Sequence, residues 1–317
     1  MKIGIIGYGS IGSRHAGNLI GLGYSDITLL RTRGRGNSHG LREVYDYDEF
    51  LSGQYDCVIV CNPTSLHFDT ITPLIRENIN VLVEKPLVCL PDELESLRRM
   101  LAGYKGLGMV AYNMRFHPCI RRIKEIISAG TIGSPLSARL AVGQYLPDWR
   151  PSQDYRTGVS ALRSLGGGVV LELIHEIDMA IHLFGPPSSD IHSVAMRASS
   201  LEIETEDISE ILYVAAGNTL ISIHQDYLNR TYRRTIEIMG SEATLDCDLK
   251  SASIKITAPG DKPISEEVIP FERNDMYVSL IDYYTTCIRS GTQPEPSLTE
   301  GLVSVSAALI VKQQNNL

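Results

Sequence analysis

The chain has 317 residues, of which 43% are hydrophobic, and its formal net charge at pH 7 is −8. This length and apolar content suffice for two domains with large cores. An acidic chain without a long run of Lys or Arg is a poor candidate for a general nucleic-acid-binding protein, and no apolar stretch approaches the length of a membrane span.

The first third of the chain alternates strand-like and helix-like segments. This rhythm predicts a parallel sheet with helices on both of its faces, as in a doubly wound Rossmann fold. The predicted strands are 2–6, 26–30, 57–61, 80–84 and 109–112, and the predicted helices are 11–22, 65–77 and 92–101.

The pattern changes after Pro118. The expected elements are a helix over 120–129, a strand over 136–145, a polar loop over 146–168, a helix over 169–184, successive strands over 190–257, and helices over 277–289 and 301–312. The predicted class is therefore α/β, with a dinucleotide-binding Rossmann domain over 1–118 and a second α/β domain over 119–317. This second domain is expected to carry a large, open, mostly antiparallel sheet for substrate binding and oligomerisation, and the last helix can pack back on the first domain.

A glycine-rich turn links the first strand to the first helix. It has the G-x-G-x-x-G pattern and consists of Gly7, Tyr8, Gly9, Ser10, Ile11 and Gly12. Such a turn allows the backbone to approach a pyrophosphate, which the helix N-terminus then attracts. The context favours dinucleotide binding by Gly7, Gly9, Ser10, Ile11 and Gly12 over an ordinary βα turn.

The end of the second strand favours one dinucleotide over another. An acidic residue that binds the ribose 2′-hydroxyl of NAD is usual there, whereas this chain has Arg31, Thr32 and Arg33. Guanidinium groups are suited to forked contacts with phosphate, which predicts a preference for NADP, with NAD as the second choice. The alternative is a solvated basic loop.

Several motifs resemble the Gfo/Idh/MocA family of oxidoreductases, which includes glucose–fructose oxidoreductase and inositol dehydrogenase. They are Glu84-Lys85-Pro86 at a strand end, the segments 62–67 and 112–118, the turn 130–133, and three glycines at 166–168 followed by a helix. Together they cover nearly the whole chain. The resemblance implies further cofactor contacts from Asn62, Pro63, His67, Glu84, Lys85, Asn113 and Arg115.

The resemblance also implies two catalytic residues, Lys85 beside the nicotinamide and His175 as the acid/base. The chemistry is consistent with this, because oxidation of an alcohol needs a group that takes the hydroxyl proton and a cation that steadies the alkoxide. Glu172, His175 and Asp178 recur at i, i+3 and i+6, which predicts one polar stripe on an otherwise apolar helix. The alternatives are a surface lysine and a hydrogen-bonded core histidine.

The helix also departs from the family pattern. Many members have Asp followed four residues later by His, whereas here Glu172 precedes His175 by three residues, and the usual glycine before the histidine is absent. Glu172 can therefore bind substrate hydroxyls, orient His175, or do neither.

The polar loop carries the candidate substrate-binding residues. They are Tyr145, Trp149, Arg150, Tyr155 and Arg156, in addition to Lys85, Glu172 and His175. Aromatic faces stack on sugar rings, and Arg reads hydroxyls, carboxylates or phosphates, so a sugar or polyol substrate is expected. The arginines favour a phosphorylated, nucleotide-linked or acidic sugar, which by family analogy suits surface-glycan synthesis. Alternatively, Trp149 and Tyr155 anchor the loop.

The six cysteines are scattered and form no C-x-x-C motif, which favours reduced, buried thiols over disulfides or a metal site. No signal peptide is expected, because no charged segment followed by a long apolar one opens the chain. The sequence therefore predicts a cytoplasmic, metal-free, NAD(P)-dependent dehydrogenase or reductase of a sugar or polyol. The alternative is a cofactor-binding sensor without turnover. The open sheet face predicts a homo-oligomer, a dimer or tetramer.

Overall fold

The computed structural model describes residues 1–32 and 36–317. These residues divide into two compact units, unit 1 with Met1–Asn113 and Arg273–Val305, and unit 2 with Met114–Glu272 and Ser306–Leu317. The sequence-based domains, 1–118 and 119–317 with a last helix that can pack back on the first domain, stay a prediction. The functional assignment of the two domains stays a prediction.

Unit 1 is built on a six-stranded parallel sheet with the order β3-β2-β1-β4-β5-β6. Its strands are β1 (Ile3–Ile6), β2 (Ile27–Leu30), β3 (Arg42–Val44), β4 (Cys57–Val60), β5 (Val81–Val83) and β6 (Gly108–Val110). All residues of β1, β4, β5 and β6 are buried, as expected for strands covered on both faces. The strand order reverses between β1 and β4, which is where doubly wound sheets bind ligands.

The helices of unit 1 follow the predicted βα rhythm. They are α1 (Ser10–Gly21), α2 (Tyr47–Leu51), α3 (His67–Arg76), α4 (Pro91–Leu101), and, from the end of the chain, α8 (Asp275–Ser290) and the first half of α9 (Leu298–Gln314). The Rossmann prediction is therefore confirmed. The sequence analysis missed β3 and α2, because a three-residue edge strand and a five-residue helix are too short to show a periodic pattern.

Unit 2 contains an eight-stranded sheet with the order β14-β13-β12-β11-β7-β10-β9-β8. Its strands are β7 (Pro135–Gly143), β8 (His192–Met196), β9 (Ile208–Val214), β10 (Leu220–Asp226), β11 (Arg233–Gly240), β12 (Thr244–Asp248), β13 (Ser253–Ala258) and β14 (Lys262–Val268). Only the β7–β10 pair is parallel among the pairs of this sheet. The predicted open, mostly antiparallel sheet is confirmed.

The helices α5 (Pro118–Ser128), α6 (Val169–Glu172) and α7 (His175–Phe184) belong to unit 2. The single helix predicted over 169–184 is wrong, because the backbone leaves helical geometry at Leu173, with φ −99° and ψ 28°. The carbonyl of Leu173 instead accepts a hydrogen bond from Nε2 of Gln225, at 2.6 Å. Glu172 and His175 therefore do not share one continuous helical stripe.

The described part of the chain contains no helix that is both long enough and apolar enough to cross a lipid bilayer. All six cysteines are buried, and none of them forms a disulfide. No group of three or more His, Cys, Asp or Glu in the same described residues is placed to hold a metal ion.

His224 lies on the partly exposed face of the second sheet, between two carboxylates. Its Nδ1 is 2.6 Å from Oε1 of Glu210, and its Nε2 is 2.9 Å from Oδ2 of Asp226. The hydrogen bond to Asp226, opposed by burial and assisted by Glu210, raises the pKa of His224 from 6.5 to about 9.

This raised pKa predicts a pH-dependent stability. The charged His224 stabilises the fold fully below its unfolded pKa of 6.5, and this contribution is lost as the pH rises through about 9. The native chain is expected to have a higher free energy of unfolding than His224→Gln at low pH. This difference is expected to decrease as the pH rises from 6.5 through about 9. Urea titrations at about pH 6 and about pH 10 measure it, and a gap that stays constant contradicts the assignment.

Candidate active site

The glycine-rich turn of unit 1 has the shape that a dinucleotide requires. A methyl group at Gly12 would collide with the carbonyl oxygen of Gly7, so the first turn of α1 packs directly on the backbone that leaves β1. Among the described residues, a methyl group at Gly9 would meet nothing within 4 Å, and no side chain caps the N-terminus of α1. The positive end of the helix dipole and the open approach at Gly9 fit a pyrophosphate.

A carboxylate lies beside the end of β2, contrary to the reading of the sequence. Glu43 of β3 is paired in register with Leu29, and its Oε1 accepts a hydrogen bond from Nη1 of Arg31 at 2.8 Å. Hydrogen bonds from Tyr45 and Asn37, with the Arg31 pair, lower the pKa of Glu43 to about 2, so it stays charged. The Arg31 guanidinium carbon lies 5.0 Å from the centroid of the Tyr8 ring. Arg31 is therefore held in place by an anion and an aromatic face.

The neighbouring positions of that strand end carry less information. Thr32 is exposed, and Arg33 lies outside the described residues. The contribution of both residues to cofactor binding stays a prediction.

The segment after β4 is held by the buried His67. Its Nε2 lies 3.0 Å from the carbonyl oxygen of Asn62 and its Nδ1 lies 2.9 Å from that of Pro86. Burial, opposed by these two backbone contacts, lowers the pKa of His67. His67 thus connects the loop after β4 to the loop after β5. Pro63, which belongs to the loop after β4, is exposed. Direct cofactor contacts from Asn62, Pro63 and His67 stay predictions.

Glu84 and Lys85 directly follow β5, at the carboxyl edge of the sheet. The amide of Glu84 donates to the carbonyl of Val60, which aligns this segment with the end of β4. One carboxylate oxygen of Glu84 lies 2.7 Å from Nε2 of His15 on α1, and the other accepts the Lys85 amide at 3.3 Å. Glu84 therefore contacts the helix that follows the glycine turn as well as the predicted catalytic lysine. Lys85 itself is half-buried.

Asn113 and Arg115 lie at the division between the two units. Asn113 is buried, and its Nδ2 lies 3.2 Å from the sulfur of Met276 within unit 1. Arg115 belongs to unit 2, where Nε and Nη2 form two hydrogen bonds of 2.8 and 2.7 Å with the carboxylate of Asp178. The forked arrangement holds Arg115 on α7, and its contact with the cofactor stays a prediction.

The helix α7 begins at His175, whose side chain is nearly buried. The next residue, Glu176, forms a forked ion pair with Arg234, with distances of 2.6 and 3.0 Å. Asp178 forms the forked ion pair with Arg115 described above. Both carboxylates are fully buried. The expected stripe of Glu172, His175 and Asp178 is therefore not one solvent-facing row, because Asp178 turns into the core to meet a cation.

The three-glycine segment before α6 is held by Glu206. This buried carboxylate accepts the amide of Val170 at 3.2 Å and lies 3.4 Å from Nζ of Lys312. Gly168 has φ +110°, and a methyl group there would collide with the Glu206 carboxylate. Glu172, at the end of α6, accepts a hydrogen bond from Oγ of Ser160 at 2.9 Å. The chain before His175 is therefore fixed by a charged pair and a hydroxyl.

The structure gives most of the aromatic and arginine candidates of the polar loop a structural partner. Trp149 donates from its indole nitrogen to the carbonyl of Gln144 at 3.1 Å and packs edge-on against Tyr227. Arg156 pairs with Asp154 and with Glu202. These contacts favour the anchoring alternative for Trp149 and a surface pair for Arg156.

The remaining loop candidates are Tyr145, Arg150 and Tyr155. Tyr145 is half-buried beneath the guanidinium of Arg230, 3.6 Å from its ring centroid. The hydroxyl of Tyr155 accepts the amide of Glu202 at 3.4 Å, and Arg150 is exposed. Their contact with substrate stays a prediction.

Sequence reasoning missed four residues that organise these sites: His15, Glu43, Glu176 and Glu206. Only His15 carried a local signal, since it lies on α1 just after the glycine turn and its side chain faces the buried side. Glu176 and Glu206 act through partners far along the chain, and Glu43 lies on a strand that was not predicted.

A Rossmann sheet, a glycine turn after β1, and a Glu-Lys pair at the end of β5 together define a dinucleotide-dependent oxidoreductase. A family model described as the oxidoreductase family with an NAD-binding Rossmann fold (Gfo/Idh/MocA) matches residues 1–112, and the model of the Gfo/Idh/MocA C-terminal domain matches residues 120–246. The chain belongs to the Gfo/Idh/MocA family, and its cofactor is a nicotinamide dinucleotide.

Several relatives of the chain are dehydrogenases. It is 25% identical to myo-inositol 2-dehydrogenase of Thermotoga maritima, over 99% of this chain and 96% of that protein. It is 29% identical to the NADP+-dependent scyllo-inositol 2-dehydrogenase of Bacillus subtilis, over 64% of this chain and 57% of that protein. Levoglucosan dehydrogenase in complex with NADH has the same fold, with a TM-score of 0.87 and 17% identity over 100% of this chain and 97% of that one.

Proposed function

We propose that the enzyme transfers a hydride between a nicotinamide cofactor and a secondary alcohol or ketone of a sugar, sugar derivative or polyol. The observation that carries this proposal is that Glu84 and Lys85 lie together at the carboxyl edge of the sheet. Glu84 is hydrogen-bonded to His15, which lies on the helix that follows the glycine turn. The inositol dehydrogenases among its relatives support a polyol-like substrate.

Each catalytic residue has a distinct role in this proposal. The bound cofactor supplies the hydride exchange. Lys85 holds the reacting hydroxyl and steadies negative charge on its oxygen, while His175 takes the hydroxyl proton during oxidation and returns it during reduction. Glu172 lies close to His175 in sequence and is a candidate for binding a further hydroxyl. These roles rest on the family motifs.

Absorbance at 340 nm tests the activity. The chain is mixed with NADP+ or NAD+ and a panel of inositols, aldoses and sugar nucleotides, and in the reverse direction with reduced cofactor and keto sugars. Phosphorylated and nucleotide-linked sugars belong in the panel, because Arg150 is exposed on the polar loop. Turnover of a panel member supports the proposal, whereas tight cofactor binding without turnover across it supports a sensor.

We propose that NADP is preferred, because Glu43 and Tyr8 hold Arg31 at the end of β2. Arg31→Asp is expected to raise the KM for NADP+ by about tenfold to a hundredfold, because a charge-assisted contact worth about 1.5–3 kcal/mol is lost. The KM for NAD+ is expected to stay within about threefold of the native value. Initial-rate kinetics with both cofactors measure this.

Glu43→Gln is the matched variant for the cofactor preference. It keeps the size of the side chain and removes the charge that fixes Arg31. The expected rise in the KM for NADP+ is therefore smaller than the rise expected for Arg31→Asp. Equal use of NADP+ and NAD+ by the native chain and by Arg31→Asp contradicts the preference.

We also propose that the enzyme is a homo-oligomer, a dimer or tetramer, and that it is cytoplasmic. The outer face of the second sheet exposes large apolar side chains, among them Val194, Met196, Leu212, Leu220 and Met239. A surface of this kind is typical of a subunit interface. The absence of disulfides among the six buried cysteines favours a reducing compartment. Light scattering after size-exclusion chromatography tests the oligomeric state.

A further inference from the structure

A buried hydrogen bond connects the helix of the glycine turn to the strand end that carries Lys85. His15 lies in the second turn of α1 and has no exposed surface, and Glu84 is nearly buried. The 2.7 Å distance between Nε2 of His15 and Oε1 of Glu84 is that of a charge-assisted hydrogen bond. Both residues belong to unit 1.

The surroundings fix the direction of this hydrogen bond. Nδ1 of His15 is buried without a hydrogen-bond partner among the described residues. A buried N–H donor without an acceptor is costly, so a neutral His15 carries its proton on Nε2, where the carboxylate accepts it. Among the described residues, Glu84 is therefore the side chain that accepts a hydrogen bond from the imidazole, whose ring also lies edge-on to Tyr277 with 6.3 Å between the ring centroids.

The second oxygen of Glu84 extends the connection to Lys85. It accepts the Lys85 amide at 3.3 Å, while the Glu84 amide is fixed to the end of β4. The position of the Lys85 backbone thus depends on the Glu84 carboxylate, and the carboxylate depends on His15. The other end of this chain of contacts is α1, whose N-terminus fits the cofactor pyrophosphate.

We propose that His15 is a positioning residue: through Glu84, it sets the place of Lys85 relative to the helix that binds the cofactor phosphates. This inference rests on the proposed role of Lys85. The pair would ensure that a cofactor docked on α1 meets the lysine in a reactive geometry. It acts on the reaction step more than on cofactor affinity.

Two variants of His15 test the proposal. His15→Phe keeps a ring of similar size and removes the hydrogen bond, and it is expected to lower kcat by about tenfold to a hundredfold, the loss typical of a misplaced catalytic group. The Kd for the reduced cofactor, measured by fluorescence titration, is expected to stay within about threefold, since the phosphate contacts persist. His15→Gln can still donate to Glu84 and is expected to recover most of kcat.

Asn18→Ala is the control on the same helix. Asn18 is nearly buried one turn after His15 and bonds Asn274 instead of Glu84. It is expected to lower the melting temperature without lowering kcat of the folded enzyme. If His15→Phe keeps the native kcat, the positioning role is overturned, whether or not stability and cofactor affinity fall.

Glu84→Gln provides a second test of the pair. Because the two residues act together, the kcat of His15→Phe/Glu84→Gln is expected to match that of the less active single variant, whereas independent effects would multiply. Multiplying effects overturn the proposal. Full activity in His15→Phe with an inactive Lys85→Met overturns the positioning role alone, and full activity in Lys85→Met overturns the proposed function as well.

Discussion

Lys85→Met is expected to lower kcat by about a hundredfold to ten-thousandfold, because it removes the cation that steadies the reacting oxygen and leaves a side chain of similar length. The Kd for the reduced cofactor is expected to change by less than about threefold, since the glycine turn and α1 carry the phosphate contacts. Steady-state kinetics with the best substrate of the panel, with a fluorescence titration of the cofactor, separate the two quantities.

Three further variants complete that experiment. Lys105→Met removes an exposed lysine of the same unit and is expected to keep native kcat. Lys85→Arg keeps the charge but changes its shape, so partial activity is expected. His175→Asn is expected to resemble Lys85→Met, because it removes the group that exchanges the hydroxyl proton. Native kcat in Lys85→Met or in His175→Asn would contradict the role of that residue.

The sheet of unit 1 was predictable because its strands are buried on both faces. A run such as Cys57–Val60 is continuously apolar, and the polar or glycine-rich residues after each strand mark its end. The same logic failed at β3, because Arg42–Val44 is short and only Val44 in it is buried. The missed strand carries Glu43, so the anion that fixes Arg31 was missed with it.

The break between α6 and α7 could not be predicted from the local sequence. Leu173 and Ile174 continue the apolar pattern, and no Pro or Gly marks the interruption. The cause is a hydrogen bond from Gln225, which is 52 residues further along the chain and lies on β10 of the second sheet. Tertiary contacts of this kind override helical periodicity.

The motifs of the candidate site were predictable, but most of their partners were not. The glycine turn, the Glu-Lys pair and the three-glycine segment were recognisable because each needs particular residues in sequence order. Arg115 and Asp178 are 63 residues apart, and Arg234 and Glu176 are 58 apart. Nothing in a single sequence links such distant charges, so Arg115 was expected to contact the cofactor and Asp178 to line a polar stripe.

The ion pair of Asp178 and Arg115 predicts a large loss of stability. Asp178→Ala removes both carboxylate oxygens from a guanidinium whose side chain is only 10% exposed, and it is expected to lower the free energy of unfolding by about 3–5 kcal/mol. The forked pair of Arg122 and Glu267 has the same geometry at the surface, so Glu267→Ala is expected to cost less than about 1 kcal/mol. Urea unfolding of the variants measures both losses.

A double variant separates the role of charge from that of packing. Asp178→Leu/Arg115→Met replaces both charges with apolar side chains, and it is expected to be more stable than Asp178→Ala, because no guanidinium is left buried beside an apolar side chain. Since α7 also carries His175, the activity of the folded double variant shows whether the pair serves the site or the fold alone. Equal losses for Asp178→Ala and Glu267→Ala would contradict the view that burial makes the Asp178 pair costly to break.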